Sequence, residues 1–164
     1  MDLPKLLEST ARIRFQDCDP FNHLNNGKYL DYFINAREDQ IEHHYGLNIY
    51  KFAQENGSGW VSSSNQLAYF RPADTMETVV IQSQLFKYSA KHLLVEARMY
   101  DIQKQHLKAF CWMGFIHINL KTMRSHEHSE ALMQLFQQVN LPVPENEFSK
   151  REFYFRSIKS SYTV

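Results

Sequence analysis

Apolar and polar residues alternate near the start of the chain. In residues 9–16 (STARIRFQ), Ala11, Ile13 and Phe15 take turns with Arg12 and Arg14, the period of two that marks a half-buried strand. From 26 to 45 the period becomes helical: Leu30, Phe33, Ile34, Arg37 and Ile41 recur at helix spacing, with no Pro or Gly after Gly27. Asn25 or Asn26 suits the N-cap, since a short side-chain oxygen accepts from an unpaired first-turn amide, and Gly46 suits the C-cap. Roughly 20 residues at helical rise give a rod of about 30 Å. Gly57-Ser58-Gly59 predicts a loop. Four strand-like blocks follow, 60–70, 78–86, 92–102 and 107–120, joined in part by the short polar stretches KYSAK and DIQKQH. Alternation is clearest in the last two, with Leu93, Val95, Ala97 and Met99 set against His92, Glu96 and Arg98, then Phe110, Trp112, Ile116, Ile118 and Leu120. Residues 129–139 predict a second helix, ended by Pro142 and Pro144. The tail FSKREFYFRSIKSSYTV shows no assignable pattern. The order strand, long helix, four strands, helix predicts an α+β fold in which an antiparallel sheet buries the apolar face of the helix. Such a sheet leaves an edge that self-association can cover.

At 164 residues the chain suits a single domain over 1–164. Lys+Arg and Asp+Glu balance at 18 each, so no basic field exists to neutralise a phosphate backbone, which argues against a nucleic-acid partner. The N-terminal stretch lacks the apolar core of a signal peptide, and no run reaches the ~20 apolar residues of a membrane span. With two cysteines, Cys18 and Cys111, there is neither a disulfide framework nor a metal-ligand spacing. These features predict a cytoplasmic protein without membrane insertion. Adjacent His43 and His44 point to different sides of a helix and His126-Glu127-His128 lacks matching ligands, so no metal site is expected. No Gly-x-Ser-x-Gly elbow surrounds any serine, which excludes the usual serine hydrolase.

The chemistry concentrates between the first strand and the long helix, where Asp17, Asp19, Asn22, His23, Asn25 and Asn26 stand within ten residues of one another. A helix start offers unpaired amides and about half a positive charge, which stabilises a developing oxyanion. A carboxylate on the loop entering that helix supplies the other half of acyl transfer, a nucleophile or base. Asp and Asn in such a place also serve as plain caps and turn formers. Cys18 lies between the acids, with no adjacent base to activate a thiolate.

IRFQDCDPFNHLNNGKYLDYF resembles the opening motif of the 4-hydroxybenzoyl-CoA thioesterase-like branch of the hot-dog superfamily. The match is in the Asp-x-Asp pair, the short loop, and a helix with Tyr in its first turn. His23, Asn25 and Asn26 resemble the His-x-Asn-Asn element of acyl-carrier-protein and acyl-CoA thioesterases, and FRPADTMETVVI resembles the same branch. The likeness covers roughly residues 9–121. It implies a hot-dog fold, with the sheet wrapped around one long central helix plus a C-terminal helix, and a homodimer or homotetramer with sites between protomers. The implied activity is hydrolysis of an acyl-CoA thioester, with no cofactor beyond the CoA of the substrate, in fatty acid metabolism. By the same resemblance Asp19 is the catalytic carboxylate, the Asn26 backbone amide polarises the carbonyl, and His23 borders the reacting group. Asp17 and Tyr29 support the site, while Lys87, Lys91 and Arg71 are candidates for the CoA nucleotide. Many members of the branch carry Gly in the loop where this chain has Phe21-Asn22. Two alternatives stand beside this reading: a hydratase or dehydratase acting on an acyl thioester, and a non-catalytic acyl-CoA-binding module on the same fold.

Overall fold

The computed structural model describes residues 2–160. Five strands form one antiparallel sheet: β1 (Leu7–Arg12), β2 (Ser58–Tyr69), β3 (Thr78–Tyr88), β4 (His92–Asp101) and β5 (Leu107–Asn119), in the order β1-β3-β4-β5-β2. The pairing runs through Leu7 opposite Ser83, Val80 opposite Tyr100, Ala97 opposite Cys111 and Leu67 opposite Cys111. Register slips between Leu85 and Lys87 and between Ser62 and Ser64. Such bulges bend a strand and strengthen its twist, so the sheet curls. β1 and β2 remain as its two edges.

The long helix α1 (Tyr29–Tyr45) packs into the curl. Its buried stripe is Tyr29, Phe33, Ala36 and Gln40, steps of four and three that hold one face of a helix. This stripe is turned slightly from the expected one, and it contains a glutamine. Gln40 is tolerated because its amide is fully used: Nε2 donates to Ser9 Oγ (2.8 Å) and to the Ile81 carbonyl (3.0 Å), and Oε1 accepts from Ser83 Oγ. Gly46 closes the helix at φ 65°, the left-handed conformation that glycine adopts without penalty.

Several boundaries differ from the sequence expectation, among them the start of the long helix, which is Tyr29 instead of residue 26 because 26–28 form a 3-10 turn. The first strand ends at Arg12, and residues 15–17 turn as a 3-10 segment instead of continuing it. A short helix α2 (Ile49–Asn56) precedes β2, capped by Asn48, whose side chain accepts from the Lys51 amide. The expected loop at 57–59 is therefore only Gly57, at φ 63°, with Ser58 and Gly59 already in β2. The unassigned tail forms α4 (Phe148–Ser160), and its residues 161–164 lie outside the described residues. α3 (Glu130–Val139) falls as expected, with Ser129 as its N-cap.

α1 and α3 cover one face of the sheet, and α4 covers the other. Val95, Ala97, Met99, Ala109, Cys111 and Met113 face the first two together with Leu132 and Phe136. Phe86, Phe110 and Trp112 face α4 through Phe148 and Phe155, with Phe110 stacked on Phe148 at 4.7 Å. Burial on both sides explains why β5 reads Phe110-Cys111-Trp112-Met113 without interruption. It also brings Glu96 under α4, where the side chain is 0% exposed. There it accepts from Arg151 (2.7 and 2.8 Å), Arg98 (2.9 Å) and the Trp112 indole (2.8 Å).

Candidate active site

The segment between β1 and α1 is a tight hairpin. Cys18 and Leu24 pair across it, the Asp19 amide donates to the His23 carbonyl (2.8 Å), and the Asn22 amide donates to the Asp19 carbonyl (3.1 Å). Pro20 pre-sets the turn at its second position. Asn22 sits at φ 63°, the left-handed region that Gly takes freely and Asn takes at modest cost. Asn in place of the glycine common in the resembling family therefore preserves the backbone path, and the departure of consequence is the bulk of exposed Phe21.

Asp19 is half-buried and held by its own turn. Its Oδ1 accepts from the amides of Phe21 (2.8 Å) and His23 (3.2 Å), and Oδ2 has no hydrogen-bond partner among the described residues. The amides that follow are assigned one by one. Asn25 N–H donates to the Asp17 carbonyl, Gly27 N–H to Asn25 Oδ1, and Lys28 N–H to the Asn25 carbonyl. Asn25 is thus the cap of a single 3-10 turn (Asn26–Lys28) that leads into α1. Among the described residues the Asn26 amide is left over, at the positive end of the helix.

Asp19, His23 and Asn26 line one cleft of about 320 Å³, whose other walls are Tyr29, Tyr69, Phe70, Arg71 and Pro72. Asp19 and Asn26 thus share a concave surface large enough for the reacting end of a small ligand. Tyr69 went unnoticed in the sequence. Its hydroxyl donates to the Asn26 carbonyl (2.7 Å), and its ring meets Tyr29 edge-on at 5.1 Å. Nothing in an isolated strand residue signals that it will pin a helix start more than forty positions away.

Asp17 and Tyr29 face away from the cleft's polar end in their hydrogen bonding. Asp17 accepts from the Tyr32 hydroxyl (2.7 Å), which in turn accepts from the Arg14 amide (2.9 Å). Burial, with the Asp17 carboxylate beside it, pushes the Tyr32 hydroxyl up to about 12, so it stays protonated as a donor. Tyr29 is 2% exposed and its oxygen accepts from the Ala73 amide. His23 sets Nε2 3.7 Å from Asp74, between side chains that are 40% and 68% exposed, a pairing of little energetic weight. Arg71 is exposed at the cleft. Lys87 and Lys91 are not among its lining residues; Lys87 lies nine residues along β3 from Thr78, about 30 Å at strand rise. The Cys18 thiol donates to the Arg14 carbonyl at 3.3 Å.

A curled antiparallel sheet around a central helix, with a carboxylate hairpin at the helix start, defines the hot-dog class. The chain belongs to the thioesterase-like superfamily, which matches residues 13–142. It is 23% identical over 119 residues to the long-chain acyl-CoA thioesterase FadM of Escherichia coli, a match covering 73% of this chain and 88% of that one. Two solved structures share the fold. SAV2348 of Staphylococcus aureus, determined in complex with CoA, superposes with a TM-score of 0.76 at 17% identity over 90% of this chain and 93% of that one. Slr0204 of Synechocystis, a 1,4-dihydroxy-2-naphthoyl-CoA thioesterase, gives 0.74 at 12% identity over 84% and 99%. No helix among the described residues is long and apolar enough to cross a membrane.

Proposed function

We propose that this chain is an acyl-CoA thioesterase in which Asp19 acts on a thioester carbonyl polarised by the Asn26 amide. The observation that carries the reading is the meeting of the two in one cleft: a carboxylate with one unengaged oxygen and a helix-start amide with no partner among the described residues. The amide and the positive end of α1 stabilise charge developing on the carbonyl oxygen. Asp19 attacks the carbonyl carbon as nucleophile or takes the proton of an attacking water, and CoA leaves as the thiolate. The names of FadM and Slr0204 and the CoA held by SAV2348 support CoA as the carrier. His23 borders the reacting group and Arg71 offers a cation to the nucleotide.

Lys87 and Lys91 fit a nucleotide role only in an assembly, since within one chain they lie at the far end of β3. An antiparallel pairing of two sheets along an edge strand brings the far end of one protomer toward the near end of the other. That geometry supports a homodimer with composite sites.

Asp19→Asn is the test. It keeps size and hydrogen-bonding capacity and removes the charge, so the variant should melt like the wild type. Its kcat on a panel of acyl-CoAs should fall by roughly 10²-fold or more, the scale of a lost acid–base group. A well-folded variant with near-normal kcat overturns the mechanism. Wild-type protein inert on every acyl-CoA and acyl-carrier-protein thioester supports the binding-module reading instead. Should wild type hydrolyse, trapping of an acyl adduct on Asp19 separates the nucleophile from the base.

A further inference from the structure

A second cavity, larger than the cleft at Asp19, lies among the described residues. It measures about 460 Å³, lies along the C-terminal half of α1 between the sheet, α2 and α3, and shares no lining residue with the cleft. Its wall is almost wholly apolar, with Ile34, Ile41, Leu93, Val95 and Phe115 among its residues. One cation interrupts it. Arg37 comes off α1, where its Nη1 donates to Ser83 Oγ at 3.1 Å. Ser83 is itself part of the chain of bonds through Gln40 to Ser9, so one end of the guanidinium is fixed in place.

The rest of the guanidinium has no carboxylate partner among the described residues, and of those residues Tyr45 bears on its charge. Burial lowers it to about 10, which still leaves it a cation at neutral pH. Of the other polar groups on the wall, the Tyr45 hydroxyl donates to the Pro4 carbonyl (2.6 Å), the Trp60 indole donates to His128 (3.0 Å) and the Tyr50 hydroxyl accepts from Gln54 (3.1 Å). Glu38, the single carboxylate on the wall, is solvent-exposed. A guanidinium presents five donors in a planar fork, and with one neutral acceptor the others remain accessible to a ligand in the cavity. Its strongest complement is a carboxylate, taken through two parallel bonds.

We propose that this cavity is a binding site for an aliphatic carboxylate, its chain in the apolar wall and its carboxylate on Arg37. The size fits, since cavities of 300–1,000 Å³ hold small ligands of this class. The same head group arrives either on a free fatty acid or on the far end of an ω-carboxylated acyl chain.

The test compares probes that differ only in the head group. Dodecanoate and 1-dodecanol are titrated by calorimetry into wild type, Arg37→Met, Arg37→Lys and Ala53→Phe, the last filling the cavity from α2. Wild type should bind dodecanoate at least tenfold more tightly than the alcohol. Arg37→Met should abolish that preference, Arg37→Lys should keep part of it, and Ala53→Phe should weaken both ligands. These measurements do not depend on any thioesterase activity. In parallel, kcat/KM is compared for dodecanoyl-CoA and dodecanedioyl-CoA. A preference for the second that Arg37→Met removes assigns the carboxylate to the substrate's far end; equal treatment of both thioesters beside tight dodecanoate binding assigns the free acid. Wild type that treats dodecanoate and dodecanol alike, with both thioesters turned over equally, overturns the proposal, and that comparison needs no variant to fold.

Discussion

Replacing Arg151 by Met should loosen the outer layer of the protein while sparing the cleft. Arg151 is the cation that α4 delivers to Glu96, at 2.7 and 2.8 Å, with a second bond to Glu145 at 3.0 Å. Arg151 and Glu96 have side chains 7% and 0% exposed, so water cannot replace the lost partner. Removing one half of a buried pair typically destabilises by 3–5 kcal/mol, because the other charge stays behind in a poor medium. Glu96 here keeps Arg98 and the Trp112 indole as donors, which argues for the lower end, about 3 kcal/mol. Met has similar bulk, so little of the effect comes from a cavity. For a chain of this size each kcal/mol shifts Tm by roughly 2–4 °C, giving a fall of about 6–12 °C by circular dichroism. Adding Glu96→Gln removes the stranded carboxylate but takes the charge partner from Arg98, whose side chain is 11% exposed, so the double variant should recover only part of the loss. An Arg151→Met protein melting within about 2 °C of wild type would refute the premise that this pair anchors α4.

Three further outcomes are expected. His117 and His128 stack at 4.8 Å, and His128 accepts the Trp60 indole on Nε2 while its Nδ1 faces the Ser89 carbonyl, a neutral arrangement; burial lowers both below the ordinary imidazole value. The unfolded chain therefore binds more protons near the ordinary histidine pKa of about 6.5, so denaturation midpoints should be highest above that pH and fall below it, and equal midpoints at pH 7.5 and pH 5.5 would contradict this. Asp17→Asn, which weakens the bond from Tyr32 to a neutral one, should lower stability by about 1 kcal/mol while leaving most of kcat in the folded protein; a stable but inactive variant would mark Asp17 as the catalytic acid. Lys87→Ala with Lys91→Ala should raise KM for acyl-CoAs, less so at high salt, with kcat nearly intact; an unchanged KM removes both from the nucleotide site.

The parts that could be read from sequence are those where one residue carries its own local signal. Gly46 closes α1 through backbone chemistry that needs no distant partner and acts where expected, while Asn25 caps the 3-10 turn ahead of α1 instead of α1 itself. Asp19 and Asn26 were expected at the site from the resemblance, and the structure sets both residues along one cleft. What escaped notice depends on long-range pairing. α4 shows no assignable pattern in the sequence, yet Arg151 is buried and Phe148 and Phe155 pack partly buried against Phe110 and Trp112, because the sheet is covered on both faces and Glu96, on the polar side of the alternation, meets Arg151 there. Arg37 sits on an apolar helix stripe that reads as simple packing, and only the curl of the sheet turns that stripe into the wall of a cavity. The partly buried guanidinium and the buried carboxylate are both charged groups set among apolar neighbours. Glu96 has three donors to account for it and so explains itself as an anchor. Arg37 has one serine, and its remaining donors open on the apolar cavity, the arrangement that the proposed carboxylate ligand would complete.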